Sequence, residues 1–219
     1  MEKTIEKARL IVNENEKVIA NILHDIKSPL YSIKIGLQNR LDNELNRDIF
    51  ETTLDIIKYI ENFLVGYSFK DGKFDNKITN CDIKKIINQK IENYKYIFIN
   101  KNISIDIIYN DENYQTNSIE IFISSIIGNI ISNMAFHATS NENAIIELYK
   151  KDNCIIVEFK NTYNNKNNNF KLGLDFCREL AILTKINLKF SKTKDTVVVK
   201  LKIPTLKTFK NLKGQIINI

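Results

Sequence analysis

Cysteine, glycine and proline are all scarce in this 219-residue chain, which holds three, six and two of them. Cys81, Cys154 and Cys177 form an odd set without CxxC spacing, so neither a zinc site nor a disulfide framework is implied. All three read as reduced, small apolar residues. So few glycines leave little room for the Gly-rich loops that cradle phosphate through closely approached N–H groups. No apolar run approaches bilayer thickness, and Met1-Glu2-Lys3-Thr4-Ile5-Glu6-Lys7 has no signal core, so the expected location is cytoplasmic. A dense Lys/Arg run is missing too. The net charge of +6 is scattered as lysines among asparagines and isoleucines, a solvated surface that implies no nucleic-acid or membrane partner. No internal repeat is visible.

What is present is a globular composition, 43% hydrophobic and 26% charged, on a chain long enough for two small cores. Ile22, Ile26, Leu30, Ile33, Leu37 and Leu41 step by four and three, which predicts one helix over residues 4–41 with a seam one face wide. Ile5, Ala8, Ile11 or Val12, and Val18 or Ile19 continue the stripe upstream. Turn formers at residues 42–46 interrupt it, and a second helix is expected over residues 47–67, with Leu54, Ile57, Ile60 and Leu64 on its apolar face. Two such helices make an antiparallel hairpin with half-covered seams. A second copy, completing a dimeric four-helix bundle, is the natural remedy.

Lys70-Asp71-Gly72-Lys73 is the first clear linker and sets the boundary: residues 1–69 form the hairpin, 74–204 a second domain and 205–219 a basic tail. Asp82 is placed to cap a helix running to residue 100. A strand at 103–108, a helix at 118–138 and strands at 144–149 and 155–159 follow. After the polar Asn/Lys tract 161–169 come a helix at 172–184 and a hairpin of 186–190 with 196–203, ending at Pro204. The order predicts an α+β protein: the helical hairpin, then an α/β two-layer sandwich with helices on one face of a mixed sheet. For the tail, packing and partner binding both stay open.

The densest chemistry lies in His24-Asp25-Ile26-Lys27-Ser28-Pro29-Leu30. His24 is two residues from both Ile22 and Ile26, about 200° from each at about 100° per residue, which points it away from the seam. A neutral imidazole is a good nitrogen nucleophile when something holds its other N–H. Asp25 is the candidate: it would fix the tautomer and balance charge developing on the ring. Adjacent helix positions do not face each other, so that contact needs a bent side chain. Ser28, one turn on, can position a water or a phosphoryl oxygen, and Lys27 can neutralise phosphate charge. Pro29 removes a backbone hydrogen bond and tends to bend the helix just past His24. The bland alternative is an incidental surface histidine on a coiled-coil helix.

This box resembles the phosphoacceptor motif of the HisKA domain of two-component histidine kinases: His, an acid, a Leu-like residue, a base, Ser/Thr/Asn, Pro, Leu. All positions of His24–Leu30 fit. The resemblance extends over the rest of the chain to the ATP-binding domain shared by histidine kinases and gyrase-type ATPases, and implies their sandwich fold for residues 74–204. Ile126-Ile127-Gly128-Asn129-Ile130-Ile131-Ser132-Asn133-Met134-Ala135-Phe136-His137 is similar to the family's N box. The resemblance implies that Asn129 ligates a phosphate-bridging Mg²⁺, that Asn133 lies near the phosphates, and that His137 fills a position usually Tyr or His. Phe136 stands where a phosphate-binding lysine is expected, and a phenyl ring cannot replace that charge. Where the family has Asp-x-Gly-x-Gly, this chain has Asn161-Thr162-Tyr163. Asn161 can still offer a carbonyl oxygen to adenine, while Tyr163 crowds the pocket and lacks glycine's freedom to take positive φ. Lys171-Leu172-Gly173-Leu174 is similar to the second glycine box with Gly173 kept, and the lid is reduced to the Asn/Lys tract.

Match and loss together imply a histidine phosphotransfer protein of a phosphorelay, nearest in layout to dimeric histidine phosphotransferases of the ChpT type. A phosphoryl group would pass between His24 and aspartates of response-regulator receiver domains, with Mg²⁺ held by the receiver and ATP unused. Two alternatives stay open: an active kinase whose reduced ATP site retains Asn129, Asn133, Asn161 and Gly173, and a non-enzymatic pseudokinase that gates a kinase or a receiver. Partner choice is expected from exposed residues flanking His24 and from Thr52, Thr53 or Lys58.

Overall fold

Three-and-four spacing of isoleucines and leucines becomes two long helices, α1 (Glu2–Gln38) and α2 (Glu44–Lys70). The computed structural model describes residues 2–38, 40, 43–70, 78–163, 171–205, 208–210 and 216–218, and the chain divides into units Met1–Phe74 and Asp75–Ile219. Pro29 lacks the N–H that would bond the Asp25 carbonyl, yet α1 continues through it. The second helix starts inside the stretch expected as a turn, because Asn43 Oδ1 accepts the Asn46 N–H at 2.7 Å and caps it there.

Each helix of the first unit has two apolar faces. On α1 the more buried face runs through Ala20, Leu23, Lys27, Tyr31 and Lys34, and from it Lys27 and Tyr31 both reach Glu61 of α2. Phe50, Leu54, Ile57, Ile60 and Val65 are buried on α2. The seam read from the sequence splits. Leu30 and Leu37 are half-buried, whereas Ile22, Ile26 and Ile33 remain 51%, 42% and 46% exposed, with Ile19 beside them. Leu41 lies outside the described residues. A matching exposed row on α2 comprises Leu45, Ile49, Ile56, Tyr59 and Phe63, with Thr52 filling the gap in its four-three spacing. Thr53 corrects an expectation. It is buried, not exposed, and its hydroxyl donates to the Ile49 carbonyl at 2.7 Å, because it falls on the face turned inward with Phe50 and Leu54. Burial pushes the half-buried Asp55 carboxyl above its ordinary value, against the opposing pull of the Lys58 charge.

In the second unit a strand pair not expected from the sequence comes first: β1 (Ile78–Asp82) runs antiparallel to β3 (Gln115–Ile119). Its residues are mostly polar and its buried members are small, Cys81, Thr116 and Ser118, so no apolar alternation announced it. Helix α3 (Ile83–Asn100) begins where Asp82 accepts the Lys85 N–H at 3.0 Å. The main sheet contains β2 (Ser104–Tyr109), β4 (Asn143–Lys151), β5 (Cys154–Thr162), β6 (Asn187–Lys192) and β7 (Thr196–Pro204). Its order is β2-β4-β5-β7-β6, with β2 parallel to β4 and the other pairs antiparallel. Helices α4 (Glu120–His137) and α5 (Lys171–Leu183) complete a layer with α3, and α4 packs between the other two. In the tail, β8 (Thr208–Lys210) pairs antiparallel with β9 (Ile216–Asn218).

The core lies between these layers. Ala144, Ile146, Leu148, Val197, Val199, Leu201 and Ile203 alternate inward along β4 and β7 and are buried. On the opposite face Lys200 and the Tyr149 hydroxyl both donate to Glu158, and those bonds hold its carboxyl below the ordinary range, the lysine most strongly. Removing the cap in Asp82→Ala is expected to destabilise the second unit by about 1 kcal/mol, read from urea unfolding. For Asp55 the folded-state value is raised, so its contribution is complete below the ordinary 3.8 and is lost as pH rises through the folded value. Asp55→Asn should therefore raise the thermal midpoint near pH 7 and leave it unchanged near pH 3, as followed by circular dichroism.

Candidate functional site

His24 leaves α1 on a side that belongs to neither apolar face, with 80% of its side chain accessible. Asp25, 85% accessible, brings Oδ1 to 3.6 Å from His24 Nδ1, within ion-pair range and longer than a hydrogen bond. That is the bent contact between neighbouring positions that the sequence required. Nδ1 is the ring nitrogen nearer the carboxylate, and Nε2 is the one turned away from it. Ser28 is exposed on the adjoining turn, and its backbone carbonyl accepts the Ser32 hydroxyl at 3.3 Å. Lys27 is committed elsewhere, with its ammonium 3.0 Å from Glu61 Oε1 of α2. The Tyr31 hydroxyl donates to the same oxygen at 2.9 Å. Sequence reasoning missed Tyr31 and Glu61, because partners 30 positions apart leave no local signal. Of the positions on α2 expected to choose a partner, Thr52 is exposed and Lys58 half-buried.

In the second unit Asn129 and Asn133 are both buried, one turn apart on α4. Asn129 Nδ2 donates to the Ser125 carbonyl of its own helix at 2.9 Å. Gly128 beside it is covered by the Lys90 stem: a Cβ there would meet Lys90 Cε at 3.3 Å. Phe136 packs edge-on against Tyr94 with ring centroids 6.1 Å apart, and its carbonyl accepts the Lys101 ammonium. Lys101 thus serves the C-terminal end of α4, where the helix dipole favours a cation. His137 is half-buried in the last turn.

Asn161 is buried near the end of β5, and its Nδ2 donates to the Thr162 carbonyl at 2.7 Å. That carbonyl also accepts the Thr139 N–H at 3.3 Å, and Tyr163 bridges Ala138, so the end of β5 is stitched to the residues just after α4. The helix carrying Asn129 and Asn133 and the strand end carrying Asn161 therefore meet. Tyr163 is buried, with the Lys192 ammonium 4.0 Å from its ring centroid. Among the described residues, positive φ occurs outside glycine at Asn102, Asn141, Asp152, Asn153 and Lys185, so Tyr163 takes ordinary backbone angles. Gly173 lies in the first turn of α5, and residues 164–170, most of the Asn/Lys tract, lie outside the described residues. A Mg²⁺-bound triphosphate would find amides at Asn129 and Asn133, as the resemblance implies, but a packed aromatic ring at Phe136 where the resemblance implies a cation. That is a poor fit to its charge.

A helical hairpin followed by a mixed sheet with helices on one face is the fold of histidine-kinase cores with their ATPase-type domain. Solved structures sharing it include the histidine kinase AdeS of Acinetobacter baumannii, at TM-score 0.58 and 12% identity over 83% of this chain and 98% of that one. The cytoplasmic segment of the histidine kinase QseC aligns at TM-score 0.54 and 11% identity, over 68% of this chain and 95% of that one. The catalytic domain of the histidine kinase ThkA aligns at 0.53 and 15% identity, over 58% and 97%. No protein-family model matches the chain, and no curated protein matches it by sequence. The likeness is thus one of fold. Among the described residues, no helix is long and apolar enough to cross a membrane.

Proposed function

We propose that this chain is a histidine phosphotransfer protein of a two-component phosphorelay, exchanging a phosphoryl group between His24 and receiver-domain aspartates without using ATP. The observation that carries this reading is an imidazole 80% exposed on a helical hairpin with a carboxylate beside its Nδ1. The Nε2 lone pair attacks the phosphorus of the receiver's acyl phosphate. As the P–N bond forms, the P–O bond to the receiver carboxylate breaks, and Asp25 balances the charge left on the ring. Reversal returns the group. Ser28 hydrogen-bonds a phosphoryl oxygen or a water, while Mg²⁺ belongs to the receiver's own acidic pocket. The net charge of +6 favours encounter with that acidic rim. Thr52, Lys58 and the exposed surface around His24 select the receiver.

The exposed rows Ile22, Ile26, Ile33 and Ile49, Ile56, Phe63 support a homodimer, since a second copy covers both and completes a four-helix bundle. A cytoplasmic location, with neither nucleic acid nor membrane as partner, goes with this reading. An active kinase with a reduced ATP site is the second reading, favoured by the buried Asn129 and Asn133 on a helix whose end meets Asn161.

A receiver domain charged with acetyl phosphate is expected to label the wild-type chain and not His24→Ala, whose melting midpoint stays unchanged. Labelling of His24→Ala would overturn the assignment, and a wild type that takes no label but binds the receiver would make the chain a pseudokinase. Calorimetric titration with ATP and Mg²⁺ is expected to show no micromolar binding; micromolar binding with label on His24 would establish the kinase instead. Light scattering should give twice the monomer mass, and Ile26→Asp should halve it.

A further inference from the structure

We propose that the Lys27 ammonium is a shared counter-ion, held by Glu61 while His24 is bare and drawn to the phosphoryl oxygens once His24 is phosphorylated. Glu61 is then a positioning residue that acts on His24 through Lys27. The inference rests on the reading of His24 as phosphoacceptor.

The interhelical face beside His24 carries a polar knot. Lys27 Nζ lies 3.0 Å from Glu61 Oε1, and the Tyr31 hydroxyl donates to that oxygen at 2.9 Å. The Lys27 and Lys34 ammonium groups each stand 5.6 Å from the centroid of the Tyr31 ring. Lys34 is 8% exposed, so one of the two cations around the ring is buried. Lys27 and Glu61 each keep 33% of their side-chain surface accessible. Their pair is neither sealed in the hairpin nor fully solvated, and a half-exposed ion pair of this kind holds weakly.

Position makes the exchange possible. Lys27 follows His24 by three residues, so the two are neighbours on the helix surface, about 5–6 Å apart at Cβ. The lysine stem is long and freely rotating, and its ammonium is a compact point charge. A phosphoryl group brings about two negative charges against the one of Glu61. Glu61 is not stranded when Lys27 leaves, because it keeps the Tyr31 hydroxyl, with the Lys34 charge on that same ring. A tie that merely joined the helices would have no reason to use the one cation inside the His24 box.

The test uses the full chain loaded with phosphoramidate. The P–N bond to ammonia breaks, a P–N bond to Nε2 forms, and ammonia leaves with the ring proton. Phosphorus NMR then follows the second ionisation of the phosphohistidine as pH is varied. Glu61→Gln is expected to lower that midpoint, because Lys27 is released to the phosphoryl group, by an amount equal to an about two- to fivefold change in acidity. Lys27→Ala should raise it, and the double variant should match Lys27→Ala. Tyr31→Phe should also raise it, because Glu61 with one donor fewer holds Lys27 harder; this variant decides the matter if Glu61→Gln fails to fold. Identical midpoints in all variants, or a double variant intermediate between the two singles, would overturn the proposal. A wild type that takes no more label than His24→Ala would instead remove the phosphoacceptor reading, and this inference with it.

Discussion

Helix α4 is buried over most of its surface, and the second unit is arranged around that constraint. Ile123, Ile126, Ile127, Ile130 and Ile131 are each at most 1% exposed, and each contributes about 1.5–3 kcal/mol by leaving water. A helix buried over most of its surface has to be wrapped, and α3, α5 and the strands supply the wrapping. Polar residues on such a helix are buried along with it, and a buried amide is costly unless it is hydrogen-bonded. Asn129 answers this with the Ser125 carbonyl. The end of α4 is set in turn by Lys101 and by the stitch to β5, so the surroundings of Asn161 and Tyr163 follow from where α4 stops.

The hairpin obeys the opposite logic. Two helices can cover one face of each other, and here each helix is apolar on two. The face used within the chain is partly polar, with Lys27, Tyr31, Lys34 and Glu61 among its aliphatic residues. The face left open is the more regular row of isoleucines. Between the two rows α1 has a further side, and His24 stands on it. An exposed imidazole on a helix stands in no cavity of its own, which suits the proposed exchange with a partner's active site.

Regular periodicity was legible and irregular pairing was not. The helices and the five strands of the main sheet follow from apolar residues at spacings of three, four and two. The β1–β3 pair does not, because its contacts lie between distant polar segments held by backbone bonds. Thr53 shows the same limit on a smaller scale: one helical position separates it from the exposed Thr52, and only packing tells which of the two faces inward. Asn43 is a further case, since a turn-former in sequence became a helix cap in the fold.

Residue type and spacing along one chain were enough to predict the helical hairpin and to single out the His24 box. Which stripe of each helix is covered, where Lys27 sends its charge, and how the end of β5 meets the end of α4 emerged only on folding. Those outcomes depend on groups far apart along the chain, and a side chain's partner across a fold is set by packing and electrostatics that no local pattern encodes.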